Sequence, residues 1–251
     1  MFFLLKIVRI PECLMVVLLG LISFKHTSFP IHSLSLLTLF FVVASTMLQN
    51  GWRDRFHDIG KGKSLAYENQ SLLLFWLITF WIICVILIGT LYMQNPVTGY
   101  LFIVMAFVGA IYSEARKIPF LSVILVTLAV TSSLFIPVTL GASLADMYML
   151  LIAVALIMFG RETLHDIADT KADFGYKKTV PILLGDKFAR IISAISLIIG
   201  SLFAITISTI SILGSLLVLW GMMNIFMDVD LKSVRRKVDI GLVLLTLGLF
   251  I

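Results

Sequence analysis

Residues 145–178, ADMYMLLIAVALIMFGRETLHDIADTKADFGYKK, pass without a break from an apolar run into a cluster of acids. On a helix, Glu162, Asp166, Asp169 and Asp173 fall at i, i+4, i+7 and i+11, within about 60° of one face. The stripe therefore stands at the end of a segment about as long as a membrane crossing requires. A plain solvated extension is the competing reading, since like charges one turn apart in water cost only about 0.2–0.5 kcal/mol per pair, but four acids on one stripe directly after an apolar run are harder to dismiss in that way. At an effective dielectric of about 20, however, two carboxylates about 6 Å apart repel by about 3 kcal/mol. A bound cation reverses that penalty.

A second set with the same habit lies upstream in residues 50–63, NGWRDRFHDIGKGK, where Asn50, Asp54 and Asp58 fall at i, i+4 and i+8. These too follow an apolar segment, so the same helical register puts all three on one face. Oxygen donors from Asp, Glu and Asn suit a hard divalent cation, and Mg²⁺ in particular takes a few carboxylates and completes its shell with water and phosphate. His57 and His165 are single histidines among acids and read as surface residues or as partners of the acids rather than as ligands. Cys13 and Cys84 lie inside apolar runs with no metal spacing and read as packing residues.

The composition makes these ends membrane ends. Hydrophobic residues are 60% of the 251 and charged residues 13%, and the mean hydropathy is +1.09, far from a soluble balance. Apolar runs at 10–24, 33–50, 71–93, 97–113, 118–141, 145–163, 188–206, 209–227 and 238–251 predict a bundle of nine transmembrane helices, the last of them short. The expected fold class is all-α and polytopic, with residues 1–251 forming one domain. Nine crossings make the loops alternate between two sides, and the basic residues test that alternation independently. Of the 19 lysines and arginines, all but Lys25 fall on one side. The positive-inside rule makes that side cytoplasmic. The net charge of +5 then reflects topology and implies no nucleic-acid partner. Met1 to Phe24 lacks a small-x-small cleavage site and reads as a retained first span.

Both acid sets lie on the cytoplasmic side, which predicts an active site at that mouth of the bundle. Cations join them there. Tyr112, Arg116 and Lys117 in IYSEARKIP offer a hydroxyl and two positive charges at one rim, and Lys177 and Lys178 follow the second acid set directly. Lysine and arginine collect in any cytoplasmic loop, but cations beside acids can also neutralise a departing diphosphate. A transporter is the competing class, yet it requires ionisable groups at mid-span, whereas these acids cluster at segment ends. A CDP-alcohol phosphotransferase would need an Asp-Gly-x-x-Ala-Arg element that the chain lacks.

The two motifs together resemble the UbiA superfamily of intramembrane prenyltransferases. Asn50, Asp54 and Asp58 match the acidic and amide positions of that family's Asn-Asp-x-x-Asp-x-x-x-Asp motif, with Gly51 at its second position. RETLHDIADTKADFGYKKTVPILLG is similar to the second motif and its tail, and is most like the digeranylgeranylglyceryl phosphate synthase branch. The segment after Asp58, IGKGKSLAYENQ, lacks the Asn-x-x-x-Arg-Pro pattern of many relatives, and the basic pair Arg116 and Lys117 differs in order and spacing. The resemblance implies Mg²⁺-dependent transfer of a prenyl group from a polyprenyl diphosphate to a lipid or aromatic acceptor within the bilayer. It implies that Asn50, Asp54, Asp58, Asp169 and Asp173 hold metal, with Glu162 and Asp166 as further metal ligands or as partners of those ligands. Asp54, Asp58, Asp169 and Asp173 are the implied catalytic acids, Arg116, Lys117, Lys177 and Lys178 the implied diphosphate contacts, and Tyr112 a substrate contact. A membrane terpene cyclase of the same superfamily would use the same residues without an acceptor.

Overall fold

The computed structural model describes residues 7–60, 64–115, 118, 120–175, 177–226 and 231–250. Helices are the regular elements throughout the described residues, which contain no strand. They group into two compact units, Met1–Ser113 with Phe135–Ala142, and Glu114–Leu134 with Ser143–Ile251.

The first unit is built on α1 (Ile10–His26), α2 (Ser33–Asp54), α3 (Gln70–Gln94) and α4 (Pro96–Ala115). Pro11 and Pro96 stand in the first turns of α1 and α4, where the missing N–H costs nothing and the fixed φ favours the helix. Helix α2 packs between α1 and α3. Its inner face contributes Ala44 and Leu48 to a core with Cys13, Leu73 and Phe80, and Phe41 meets Phe80 at 5.3 Å between ring centroids. Polar ties complete the unit. Gln49 Nε2 donates to the Ala110 carbonyl at 2.8 Å, joining α2 to α4, and Asn95 Nδ2 donates to the Thr139 carbonyl at 3.2 Å. Ile78, Ile82, Val85 and Ile86 of α3 are exposed. Apolar side chains on an uncovered helix face mark contact with lipid.

The second unit contains α5 (Leu121–Ser132), α6 (Tyr148–Asp173), α7 (Asp186–Ile207), α8 (Ile212–Phe226) and α9 (Leu231–Phe250). Its two tightest crossings, α6 with α7 and α8 with α9, are made over glycines. A Cβ on Gly160 of α6 would stand 2.7 Å from Leu197 Cγ and 2.9 Å from the Ser193 carbonyl oxygen. One on Gly214 of α8 would strike the backbone of Leu245. Lipid gives helices little hydrophobic reason to associate, so such close backbone approach is what holds them. Ser193 Oγ adds a buried hydrogen bond to the Gly160 carbonyl at 2.7 Å.

Each expected apolar segment overlaps a helix among the described residues. The chain is a polytopic all-α membrane protein. Four helices are long and apolar enough to cross a bilayer by length and composition, Ser33–Asp54, Gln70–Gln94, Leu121–Thr139 and Asp186–Ile207. Two boundaries differ from the sequence expectation, and a third segment runs on as helix through the acid stripe as its spacing predicts. The segment at 118–141 is not one regular helix, because α5 gives way to a 3₁₀ turn at Ser133–Phe135 and a short turn at Ile136–Thr139. Pro137 lacks the N–H that a continuous helix needs at that point, and Thr131, Ser132 and Ser133 hydroxyls bond back to the preceding carbonyls. The segment at 145–163 continues as helix to Asp173. The final helix begins at Leu231, ahead of the expected 238, and so carries Arg235 and Arg236 as well as Asp239.

Candidate functional site

The first acid row stands at the end of α2. Asn50 is buried and Asp54, the last residue of the helix, is half-buried. The expected stripe is continuous to this point only. Arg55 and Phe56 form a turn, and Asp58 lies on a separate helical turn, His57–Gly60. The reason is local. The Arg55 guanidinium stacks over the Trp52 and Phe56 rings at 3.9 and 4.4 Å, donates to the Trp52 carbonyl and reaches Gln70 Oε1 at 3.4 Å. A cation over aromatic faces gains about 0.5–1 kcal/mol at such sites, and here it also takes up a carbonyl left over at the helix end. An open apolar groove on the exposed face of α3 is lined by Gln49, Trp52 and Arg53 together with Trp81 and Ile82. Asn50 and Asp54 are not among its lining residues.

The second row keeps the register its spacing predicts. Glu162, Asp166, Asp169 and Asp173 all lie on α6 without interruption. Glu162, Asp166 and Asp169 are half-buried, and the Asp173 side chain is 1% exposed. Lys177 Nζ donates to Asp173 Oδ2 at 2.7 Å, and the Lys177 backbone N–H donates to the Asp173 carbonyl at 3.0 Å. Gly175, with φ +80°, permits the reversal that brings the lysine back. Lys177 is thus paired with an acid of the row, while Lys178 is exposed. Tyr112 is half-buried near the end of α4. Arg116 and Lys117 lie outside the described residues.

Four residues join this site that the spacing of the acids did not reveal. Arg161 Nε donates to Asp239 Oδ1 of α9 at 2.9 Å, and its Nη1 donates to Glu162 Oε1 at 2.8 Å. His165 Nε2 stands 3.5 Å from the same Asp239 oxygen, and Arg235 Nε is 3.9 Å from its other oxygen. Burial pushes the His165 imidazole below its ordinary range, the Arg161 charge adds to that, and Asp239 and Glu162 pull the other way. One signal for this cluster was present in the sequence. Asp239 is a lone acid at the head of an apolar run, and an ionisable group in that setting ordinarily has a named partner.

The donor set fits a hard cation. Carboxylate and amide oxygens dominate both rows, and no soft ligand sits among them. Among the described residues no three His, Cys, Asp or Glu side chains form a ready metal cage. Mg²⁺ does not require one, since it is usually held by one or two carboxylates with water and substrate phosphate supplying the rest.

No family model matches the chain, and no curated protein matches it. Solved structures do. The chain is similar to digeranylgeranylglyceryl phosphate synthase, described in membranes, with TM-score 0.71 and 16% identity over 99% of this chain and 96% of that one. It is similar to a UbiA homologue from Aeropyrum pernix K1 in its apo form, with TM-score 0.68 and 14% identity over 96% of this chain and 97% of that one. A UbiA homologue from Archaeoglobus fulgidus bound to GPP and Mg²⁺ gives TM-score 0.65 and 16% identity over 99% and 98%. Over nearly its whole length, the chain has the fold of the UbiA homologues.

Proposed function

We propose that this protein is an intramembrane prenyltransferase, one domain over residues 1–251, that transfers a prenyl group from a polyprenyl diphosphate to a lipid or aromatic acceptor. The observation that carries the reading is α6, one helix that leaves an apolar stretch and presents four acids in a single stripe. The A. fulgidus structure with GPP and Mg²⁺ supports it, because a protein of the same fold holds a prenyl diphosphate with that cation.

In this reading Asn50, Asp54, Asp58, Asp169 and Asp173 hold Mg²⁺, and Glu162 and Asp166 stand beside them. Bound Mg²⁺ supplies positive charge against the oxygen that becomes negative as the allylic C–O bond breaks. Lys177 and Lys178, with Arg116 and Lys117, add fixed cations for the departing diphosphate, where preorganised charge lowers the barrier most. Tyr112 contacts substrate. The C–O electron pair leaves with the diphosphate, the acceptor nucleophile forms the new bond to the allylic carbon, and the acceptor's proton passes to solvent. Apolar helix faces exclude the water that would otherwise capture the cation. Both acid rows face the cytoplasm, supported by the segregation of every lysine and arginine except Lys25 to one side.

The test is purified protein in detergent with Mg²⁺ and a panel of prenyl diphosphates, with and without membrane lipid extract, followed by mass spectrometry. The expected result is a prenylated product that requires both Mg²⁺ and extract. Hydrocarbon formed without any acceptor would replace transfer with cyclisation, and no consumption of any prenyl diphosphate would refute the reading.

A further inference from the structure

We infer that Asp239 is a positioning residue: from α9 it holds Arg161 by a hydrogen bond, with His165 lying against the same oxygen, fixes the rotation of α6 about its axis, and thereby aims the second acid row. The inference rests on the metal-dependent reading proposed above. Arg161 and His165 are one turn apart on α6, and both meet the same carboxylate oxygen, at 2.9 and 3.5 Å. On an α-helix the edge they form is rotated about 100° from the Glu162–Asp166 edge. Holding the first edge against α9 therefore dictates where the second points.

The guanidinium does more than tether. One arm of Arg161 is on Asp239 and another is on Glu162, so a single planar fork connects an acid of the row to an acid of another helix. Adjacent residues on a helix do not ordinarily face one another, and the Arg161–Glu162 contact exists because Arg161 leans across its own helix. The α6 side of the network is the shielded one, with side-chain exposures of 22% for Arg161, 18% for Glu162 and 16% for His165 against 35% for Asp239 and 37% for Arg235, and charged hydrogen bonds hold their geometry best where water is partly excluded. Arg235, 3.9 Å from Asp239 on the same helix, completes the charges around the carboxylate. On the α7 side, Ser193 holds the Gly160 carbonyl one residue before Arg161. Helix α6 is clamped from two sides at the level where its acids begin.

Mn²⁺ binding to the purified full chain, read by electron paramagnetic resonance, tests this without relying on turnover. Asp239→Asn and Arg161→Gln should each weaken Mn²⁺ binding by about tenfold, the scale at which partners of metal ligands usually act. Because they act through one contact, the double variant should be no weaker than the worse single variant, to within about twofold. Arg161→Lys keeps the charge but loses the fork, and should match Arg161→Gln; it also decides the matter if Asp239→Asn fails to fold. Single variants that bind within about twofold of the parent, or effects that multiply in the double variant, would overturn the inference. Asp169→Asn serves as the control. If it too leaves Mn²⁺ binding intact, the metal reading itself fails and this inference falls with it, whereas loss in Asp169→Asn alone rejects only the role of Asp239.

Discussion

Asp169 is a half-buried carboxylate on a stripe of like charges, and the proposed reading makes it a ligand of the metal. Asp54→Ala and Asp169→Ala should each lower turnover by about a hundredfold or more, because preorganised charge at the breaking bond is the largest single contribution to such catalysis. Steady-state product formation on folded protein checks this, and near-normal activity in both variants would remove the metal assignment. Gly51 makes a second residue-scale test. A Cβ there would lie 3.3 Å from Ile7 Cγ2, so Gly51→Asp places a carboxylate against an apolar side chain instead of on the acid stripe. Its thermal midpoint should fall, and its apparent Mg²⁺ affinity should rise by less than tenfold, about 1.4 kcal/mol. A tenfold gain in a Mg²⁺ titration would restore position 51 to the ligand set. At this scale the four acids of α6 share the face that helical spacing predicts, whereas Asp58 does not continue the α2 stripe. Lys177 was legible as a cation near the site, but its 2.7 Å bond to Asp173 depends on the turn at Gly175, which spacing does not encode.

Helices α6 and α7 meet over Gly160 and Gly200, and this crossing sets the depth at which the second row stands. Gly160→Ala should destabilise the protein by about 1–3 kcal/mol, the usual cost of an added methyl group in a packed interface. Unfolding in mild detergent measures it; an unchanged transition would mean that the crossing has room the glycine does not need. A kinked or shifted α6 should also move Arg161, so the same variant should weaken Mn²⁺ binding. The extent of α6 to Asp173 was readable, since apolar and acidic positions share one period of 3.6 residues. The end of α2 was not. Its register continues on paper to Asp58, but the helix stops where Arg55 folds back on the Trp52 and Phe56 rings and the Trp52 carbonyl, local contacts that residue spacing does not reveal. The break of the fifth segment had its signal in Pro137, which a count of apolar residues passes over.

For the molecule as a whole, hydropathy and the distribution of charge carried most of the information. The all-α fold follows from segments too apolar to be anything but helices in lipid, and the structures that share it cover nearly the entire chain. The proposed orientation rests on the sequence, whose expected spans put every lysine and arginine except Lys25 on one side. In a background lacking Cys13 and Cys84, a Lys25→Cys variant should label from outside intact cells and a Lys63→Cys variant only after the membrane is opened. Labelling of Lys63→Cys from outside would invert the proposed mouth. The relation between Asp239 and α6 was invisible at this scale, because it joins residues far apart in the chain through a contact that neither charge balance nor periodicity specifies. The most direct test of the central claim is release of inorganic diphosphate from a prenyl diphosphate as Mg²⁺ is titrated, run in parallel on the parent and Asp169→Asn in the presence of acceptor-bearing lipid extract. Release that saturates with Mg²⁺ in the parent and is lost in Asp169→Asn is the predicted result, and equal release from both proteins, or release indifferent to Mg²⁺, would contradict the account.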